Sequence, residues 1–262
     1  PVIVDRLHAG LADLSTLSEV LGAIWVLVMI LVPVFRWVLG SRGERIGISL
    51  GVLFQAALVA TLLSEGLGLA RAWPIILGIP VFGWVIELIG SRTGVPFGRY
   101  HYTDVLKPQL LHVPLVIPLA WLMMVPPAWS VAAVLSKHLE LTGPAGRVVI
   151  ALVAGAAFMA WDLFLDPQMV RWDFWRWRQG GAYVGIPVSN FLGWFLAGTA
   201  VSFLFYVGEG EAPVVPLFAV YVVTWLLETV GQLVFWRLMV SGIVGFVIMG
   251  LFVAVGLLGL AG

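Results

Sequence analysis

The chain has no cysteine and few charges, since only 11% of its 262 residues are charged. The missing cysteine excludes disulfide bonds, thiolate metal sites and cysteine nucleophiles. Basic and acidic residues balance at 14 each, so the charge predicts no nucleic-acid partner. The four histidines form no HxxH or HxxxH pair for a membrane di-iron centre, and no GxGxxG motif or P-loop indicates a flavin, nicotinamide or nucleotide cofactor. We therefore expect cofactor-free acid and base chemistry, or chemistry on a carboxylate-bound metal.

Hydrophobic residues dominate what is present. They form 61% of the chain, and the mean hydropathy of +1.05 is far above the soluble range. The sequence therefore predicts an all-α, polytopic transmembrane helical bundle, as a single membrane domain over 1–262. Segments long enough to cross a bilayer number eight, with seven as the alternative. They are 18–39, 46–68, 73–90, 109–135, 147–166, 187–207, 214–236 and 239–261. Four prolines in the fourth segment predict that its helix is kinked or split.

Lysine and arginine are distributed unevenly between the two sides of this bundle. Most of them follow the first, third, fifth and seventh spans, which predicts that these connections are cytoplasmic and that both termini are outside. The two longest polar connections, 91–108 and 167–186, lie on the same side. We expect a multi-pass protein of the cell membrane with its active site near the cytoplasmic face, and a candidate catalytic core at 83–194.

Two aspartates lie in the stretch "WDLFLDPQMVRW". Asp162 and Asp166 are four residues apart, so a helix brings both to one face. Pro167 disfavours helical geometry at Asp166, which predicts that the helix ends there. Low dielectric, the helix dipole and the neighbouring like charge oppose ionisation, so at least one of the two acids should keep its proton at neutral pH and act as a proton donor. The alternative is a structural ion pair with an arginine of the next loop: Arg171, Arg176 or Arg178.

Four other polar residues are candidates for the same site. Glu87 lies one turn before the end of the third span, either as partner of the aspartates or in an interfacial pair with Arg92. Asn190, one turn into the sixth span, is a candidate to hold a catalytic water or the backbone of the preceding loop. Asp104 is expected to line the site or to cap the following helix. Glu228 lies inside the seventh span, where an acid is costly, and is assigned to substrate binding or to polar helix packing.

Aromatic residues surround these acids in the sequence. Ring faces stabilise a carbocation and bind flat, apolar molecules, which predicts that this group contacts the substrate. The alternative is the aromatic belt of a membrane interface. The candidates are Trp161, Trp172, Trp175, Tyr100, Tyr102 and Tyr183, and Trp177 belongs to the same group.

Two stretches carry a resemblance to a known family. They are "TGVPFGRYHYTDVLKPQLLHVPLVIPLAW" and "WDLFLDPQMVRWDFWRWRQGGAYVGIPVSNFLGW", with the order DP, W and GxYxGxPxxNFxGW. This order resembles the membrane-integral carotenoid hydratases of the CruF type over the third to sixth spans, and the flanks match only in hydropathy. The resemblance implies that water adds across the terminal double bond of an acyclic ψ end group on a long polyene such as γ-carotene, lycopene or bisanhydrobacterioruberin. The positions inside the matching motifs, which the resemblance implies are functional, are Glu87, Asp104, Asp162, Asp166 and Asn190.

The expected chemistry agrees with the residues. Hydration begins when neutral Asp162 or Asp166 protonates the less substituted alkene carbon. Aromatic faces and a remaining carboxylate then stabilise the tertiary cation, while a second carboxylate or Asn190 orients the water and takes its proton. We expect the carotenoid in a lipid-open groove between the third, fifth and sixth spans. The bilayer and other carotenoid-pathway enzymes are the remaining partners.

Three other functions stay open at this point. A non-flavin carotenoid cyclase would protonate the same end group and exclude water, although the PExxE pattern associated with such cyclases is missing. An intramembrane prenyltransferase also carries a DxxxD pair, but it needs a second aspartate-rich motif for Mg²⁺ and diphosphate. A transporter that uses Glu87 and Glu228 as proton relays is the third.

Overall fold

Long apolar helices make up most of the molecule. The computed structural model describes residues 2–140, 143–208 and 212–261, with the backbone alone at residues 137 and 138. Within these ranges the helices are α1 (Val2–Ala12), α2 (Thr16–Leu39), α3 (Ser41–Leu67), α4 (Leu69–Thr93), α5 (Val116–His138), α6 (Gly143–Arg171), α7 (Val188–Phe205), α8 (Val214–Val230) and α9 (Met239–Ala261). The short strands are β1 (Tyr100–Tyr102), β2 (Gln109–Leu110), β3 (Val113–Pro114) and β4 (Trp175–Trp177). Helices α2 to α9 are each long and apolar enough to cross a membrane, α8 together with the π-helix that follows it, which confirms the predicted eight-span bundle.

Tight turns join several of these spans. Gly40 and Gly68 adopt positive φ angles of 61° and 77°, so α2, α3 and α4 follow one another with one residue between them. A π-helix, Gly231–Trp236, extends α8 and is followed directly by the turn into α9. The last two predicted spans, 214–236 and 239–261, have the same limits as these elements.

Helix α5 is the centre of the bundle. In its spanning segment 89% of the residues are buried, and no other span exceeds 56%. It packs against α3, α4, α6, α8 and α9. Helix α5 therefore contacts helices on several sides of the core.

The fourth span differs from its prediction in two ways. It begins at Val116 instead of residue 109, because residues 109–114 form the hairpin of β2 and β3. It also continues through Pro126 and Pro127 and is not split. Pro127 has no N–H for the carbonyl of Met123. The side chain of Gln55 donates to that carbonyl instead, at 3.4 Å, so a neighbouring helix provides the missing hydrogen bond.

The prediction that α6 ends at Asp166 is wrong. The helix continues through Pro167 to Arg171, so Asp166 lies more than one turn before the C-terminus. The proline leaves the carbonyl of Leu163 without its usual N–H donor. The hydroxyl of Tyr183, in the following loop, donates to this carbonyl at 2.9 Å. A long-range hydrogen bond thus replaces the one that the proline removes.

The two polar loops meet on one face of the bundle. Strand β1, in the loop after α4, pairs antiparallel with β4, in the loop after α6. The pairing sets Tyr100 opposite Trp177 and Tyr102 opposite Trp175. This two-stranded sheet covers the ends of α4, α6 and α7, where the predicted acids lie.

Candidate active site

Asn190 joins the two aspartates of α6. Its side-chain amide donates to Oδ2 of Asp162 at 2.8 Å and to Oδ2 of Asp166. All three side chains are buried. One amide nitrogen therefore brings oxygens of both carboxyl groups together, as expected for acids one helical turn apart.

A close approach of α6 and α7 makes this contact feasible. Gly155 on α6 faces Gly198 on α7, and a Cβ on Gly198 would lie 3.2 Å from the Cα of Gly155. Small residues at such crossings allow the backbones of membrane helices to pack closely. The Asn190 side chain can thus reach α6.

The two aspartates differ in their remaining contacts. Oδ1 of Asp166 accepts a hydrogen bond of 2.6 Å from Nε1 of Trp175, on strand β4. Oδ1 of Asp162 has no partner among the described residues, although it is buried. Asp166 is therefore held on both oxygens, whereas Asp162 keeps one free.

Glu87 on α4 is surrounded by neutral donors. Its carboxylate accepts hydrogen bonds from the hydroxyls of Tyr100 and Tyr102, the latter at 2.8 Å, and from Nε1 of Trp121 at 3.4 Å. Burial and then the charge of Glu87 raise the pKa of both tyrosines well above the usual range. Both phenols consequently stay protonated and remain donors at physiological pH.

No cation neutralises these acids in the part of the chain that the structure describes. Arg176, one candidate for an ion pair with the aspartates, contacts Asp173 at 2.5 Å on the surface. This hydrogen bond lowers the pKa of Asp173. The alternative that the acids form arginine pairs, including Glu87 with Arg92, finds no support among the described ion pairs.

The acids and rings enclose one small cavity, which we call the acid cavity. Its volume of about 20 Å³ is enough for about one water molecule. Rings from both loops and from α7 are half of the lining residues, and side chains of α4, α5, α6 and α7 are the others. The lining residues are Glu87, Phe97, Tyr100, Tyr102, Ile117, Ala120, Leu165, Asp166, Trp175, Trp177, Asn190 and Trp194. Helices α4 to α7 thus all contribute to the cavity. The sequence predicted a site between α4, α6 and α7, and α5 is the additional helix.

Four predicted site residues lie apart from the acid cavity. Asp104 is exposed and pairs with Lys107 at 3.3 Å, so it does not reach the other acids. Trp172, the residue after α6, packs edge-on against Trp236 of the π-helix and does not line the cavity. Glu228 lies on the wall of separate cavities, and Tyr183 contacts the α6 backbone.

Trp161 is buried and borders the aspartates without lining the acid cavity. Its ring meets that of Trp194 edge-on at 6.0 Å. Its Nε1 has no hydrogen-bond partner among the described residues. Trp161 instead lines a cavity that it shares with Glu228.

Two rings that line the acid cavity, Phe97 and Trp194, were missed at the sequence level. Trp194 stacks on Trp121 with ring centroids 5.2 Å apart; Trp121 does not itself line the cavity, but its Nε1 donates to Glu87. Trp194 follows Asn190 by one helical turn, which is a signal that could have placed it beside the acids. Trp121 offered no such signal, because its position depends on the close packing of α5 against Gly83 of α4.

The described residues contain no group of three histidine, aspartate or glutamate side chains arranged to hold a metal ion. The acid cavity combines carboxyl groups, neutral donors and aromatic faces around the space of one water. Such a site can donate a proton, stabilise a cation and orient a water molecule.

Comparisons with known proteins identify the family of this chain. Residues 47–257 match the model of a family described as carotenoid biosynthesis protein. A bisanhydrobacterioruberin hydratase of Haloarcula japonica is 33% identical over 118 residues, which are 45% of this chain and 39% of that protein. No solved structure gives a significant match. Because the family model covers most of the sequence, the chain belongs to the carotenoid biosynthesis protein family.

Proposed function

We propose that this protein is a carotenoid hydratase, which adds water across the terminal double bond of an acyclic ψ end group. The observation that carries the proposal is the acid cavity, where Glu87 and Asp166 surround the space of one water, Asn190 joins Asp166 to Asp162, and no described residue places a cation beside them. The relative from Haloarcula japonica bears the name of a hydratase, and the aligned region includes about two fifths of its length.

Asp166 is the proton donor in this proposal. Two buried carboxylates that share one amide donor repel each other unless one of them holds a proton. Asp166 lines the cavity and therefore holds this proton, whereas Asp162 lies behind it as the neighbouring carboxylate with a free oxygen. The first step moves this proton to the less substituted carbon of the terminal double bond and leaves a tertiary cation.

The cation and the water have separate partners. The faces of Trp194, Tyr100 and Trp177 line the cavity and stabilise positive charge, an effect of about 0.5 to 2 kcal/mol for each well-placed ring. Water then adds to the cation, and Glu87 takes the proton that the water loses. This proton passes from Glu87 back to Asp166 before the next cycle. Tyr100 and Tyr102 hold the Glu87 carboxylate in place for this step. The product is a tertiary alcohol, and the net reaction consumes one water.

The location suits a substrate that is dissolved in lipid. A polyene lies within the bilayer, and its end group meets water only near an interface. The acid cavity lies beneath the paired loops at the ends of α4 and α6. The excess of lysine and arginine on this side supports a cytoplasmic position in the cell membrane. Residues 83–194 are our candidate for the catalytic core.

Expression in cells that make lycopene or γ-carotene tests the proposal. Mass spectrometry of the pigments should reveal the gain of one water per reacted end, and this product should be absent with Asp166→Asn. A product of unchanged mass with a shorter chromophore would instead indicate cyclisation. Prenyl transfer that depends on added magnesium, without a hydrated pigment, would indicate the prenyltransferase alternative.

A further inference from the structure

Two more cavities lie on the other side of α6. The inner cavity has a volume of about 30 Å³ and is lined by residues such as Trp25, Gln55, Met123 and Trp161. The outer cavity has a volume of about 170 Å³ and lies between α2 and the π-helical end of α8. Met29, Ile48, Leu227 and Glu228 line both of them, so the two spaces adjoin.

Leu165 separates these cavities from the acid cavity. Its side chain lines the acid cavity on one side and the inner cavity on the other. Leu165 is only partly buried, although its neighbours Phe164 and Asp166 are buried. The acid cavity has no room for an end group beside a water molecule, so a substrate must displace a lining side chain. A leucine side chain can move to another rotamer at a small cost, which would join the acid cavity to the inner one.

The walls of the inner and outer cavities are suited to an apolar chain. Most lining side chains are aliphatic, aromatic or methionine, and Glu228 is the one titratable group among the described residues that line them. The outer cavity reaches Val230 and Phe235, which are exposed on the lipid-facing surface of the bundle. A route from the bilayer therefore leads past Met29 and Ile48 to Leu165.

We propose that the inner and outer cavities hold the polyene chain of the substrate while its end group enters the acid cavity past Leu165. This inference rests on the proposed function for the identity of the substrate. The polyene then lies in a path between α2, α3, α6 and α8, and not in the groove between α4, α6 and α7 that the sequence predicted. Leu165 is the residue at which the end group passes from the apolar path to the acids.

Bulky substitutions along the path test the inference. Ile48→Trp and Leu227→Trp, on two different helices, fill the junction of the cavities. Leu152→Trp is the matched control, because Leu152 is exposed to lipid on α6. Each variant receives a full-length carotenoid or a short acyclic terpene with the same terminal double bond. Size-exclusion profiles in detergent identify any variant that fails to fold.

We expect the ratio of the hydration rate on the carotenoid to that on the short terpene to fall at least about tenfold in Ile48→Trp and Leu227→Trp. The ratio should not change in Leu152→Trp. An equal loss on both substrates, or no loss on either, in both folded junction variants would overturn the inference.

Retention of the polyene provides a readout that does not depend on activity. The absorbance of carotenoid that copurifies with the protein should be several-fold lower in both junction variants than in Leu152→Trp. If the wild-type protein retains carotenoid without hydrating it and the junction variants lose it, the cavity assignment stands and the hydratase proposal fails. Equal retention in all variants would overturn the cavity assignment whatever the activity.

Discussion

The Asp166→Asn variant tests the role of the cavity-facing acid with little change in shape. In the wild-type protein Trp175 donates to one oxygen of Asp166 and Asn190 donates to the other. An asparagine has one oxygen, so it can accept only one of these hydrogen bonds. The lost bond and the unpaired donor cost about 1 to 3 kcal/mol of folding free energy. The amide is neutral, like the protonated Asp166 that it replaces, so the buried charge beside Asp162 does not change and the variant should still fold.

The effect on the rate should be larger than the effect on stability. Loss of a general acid typically lowers a rate about 10²- to 10⁴-fold, or about 3 to 5 kcal/mol in the activation barrier. The assay is the initial rate of tertiary alcohol formation in isolated membranes, with thermal unfolding in detergent as the measure of stability. Asp104→Asn is the matched control, because this exposed carboxylate pairs only with Lys107 in the structure and should tolerate the change. Retention of a tenth or more of the wild-type rate by folded Asp166→Asn would refute the assignment.

Three further predictions concern the rings and hydroxyl groups around the acids. Trp194→Leu should lower the rate more than Trp172→Leu, because only Trp194 lines the cavity; equal rates in a pigment assay would contradict this. Tyr183→Phe should lower the free energy of unfolding by about 1 kcal/mol. This cost should shrink in a Pro167→Ala background, where a new N–H can replace the lost donor, and an unchanged cost in denaturant titrations would argue against the bond. Tyr102→Phe should reduce the rate, and wild-type activity should show no titration at about pH 10, the ordinary pKa of a tyrosine, since the raised pKa keeps the phenol protonated. A fall in activity at that pH that disappears in the variant would contradict the prediction.

The membrane spans could be predicted because hydropathy is a local property. A helix that crosses a bilayer needs about 20 apolar residues wherever it packs, so composition along the chain is sufficient. The predicted spans 214–236 and 239–261 therefore have the same limits as α8 with its π-helical end and α9. The spacing of Asp162 and Asp166 also follows from helix geometry alone, and the structure brings both to Asn190.

Local rules failed where a distant side chain replaced a backbone donor. Pro167 predicted the end of α6, but the hydroxyl of Tyr183 accommodates the proline by donating to the free carbonyl. Four prolines predicted that the fourth span is kinked or split, but α5 continues through Pro127, where Gln55 provides the equivalent donor. The sequence contains both donors, but their sequence separation from the prolines hides the contact.

By itself, the sequence determined that the chain forms eight apolar helices and that two carboxyl groups share one helical face, because both follow from the composition and spacing of neighbouring residues. Only the tertiary structure decided which groups surround those acids. The tyrosines that hold Glu87, the tryptophan that holds Asp166 and the leucine between the cavities come from different segments. Their contacts depend on how closely α4, α5, α6 and α7 pack and on the pairing of β1 with β4, and no local pattern encodes those distances.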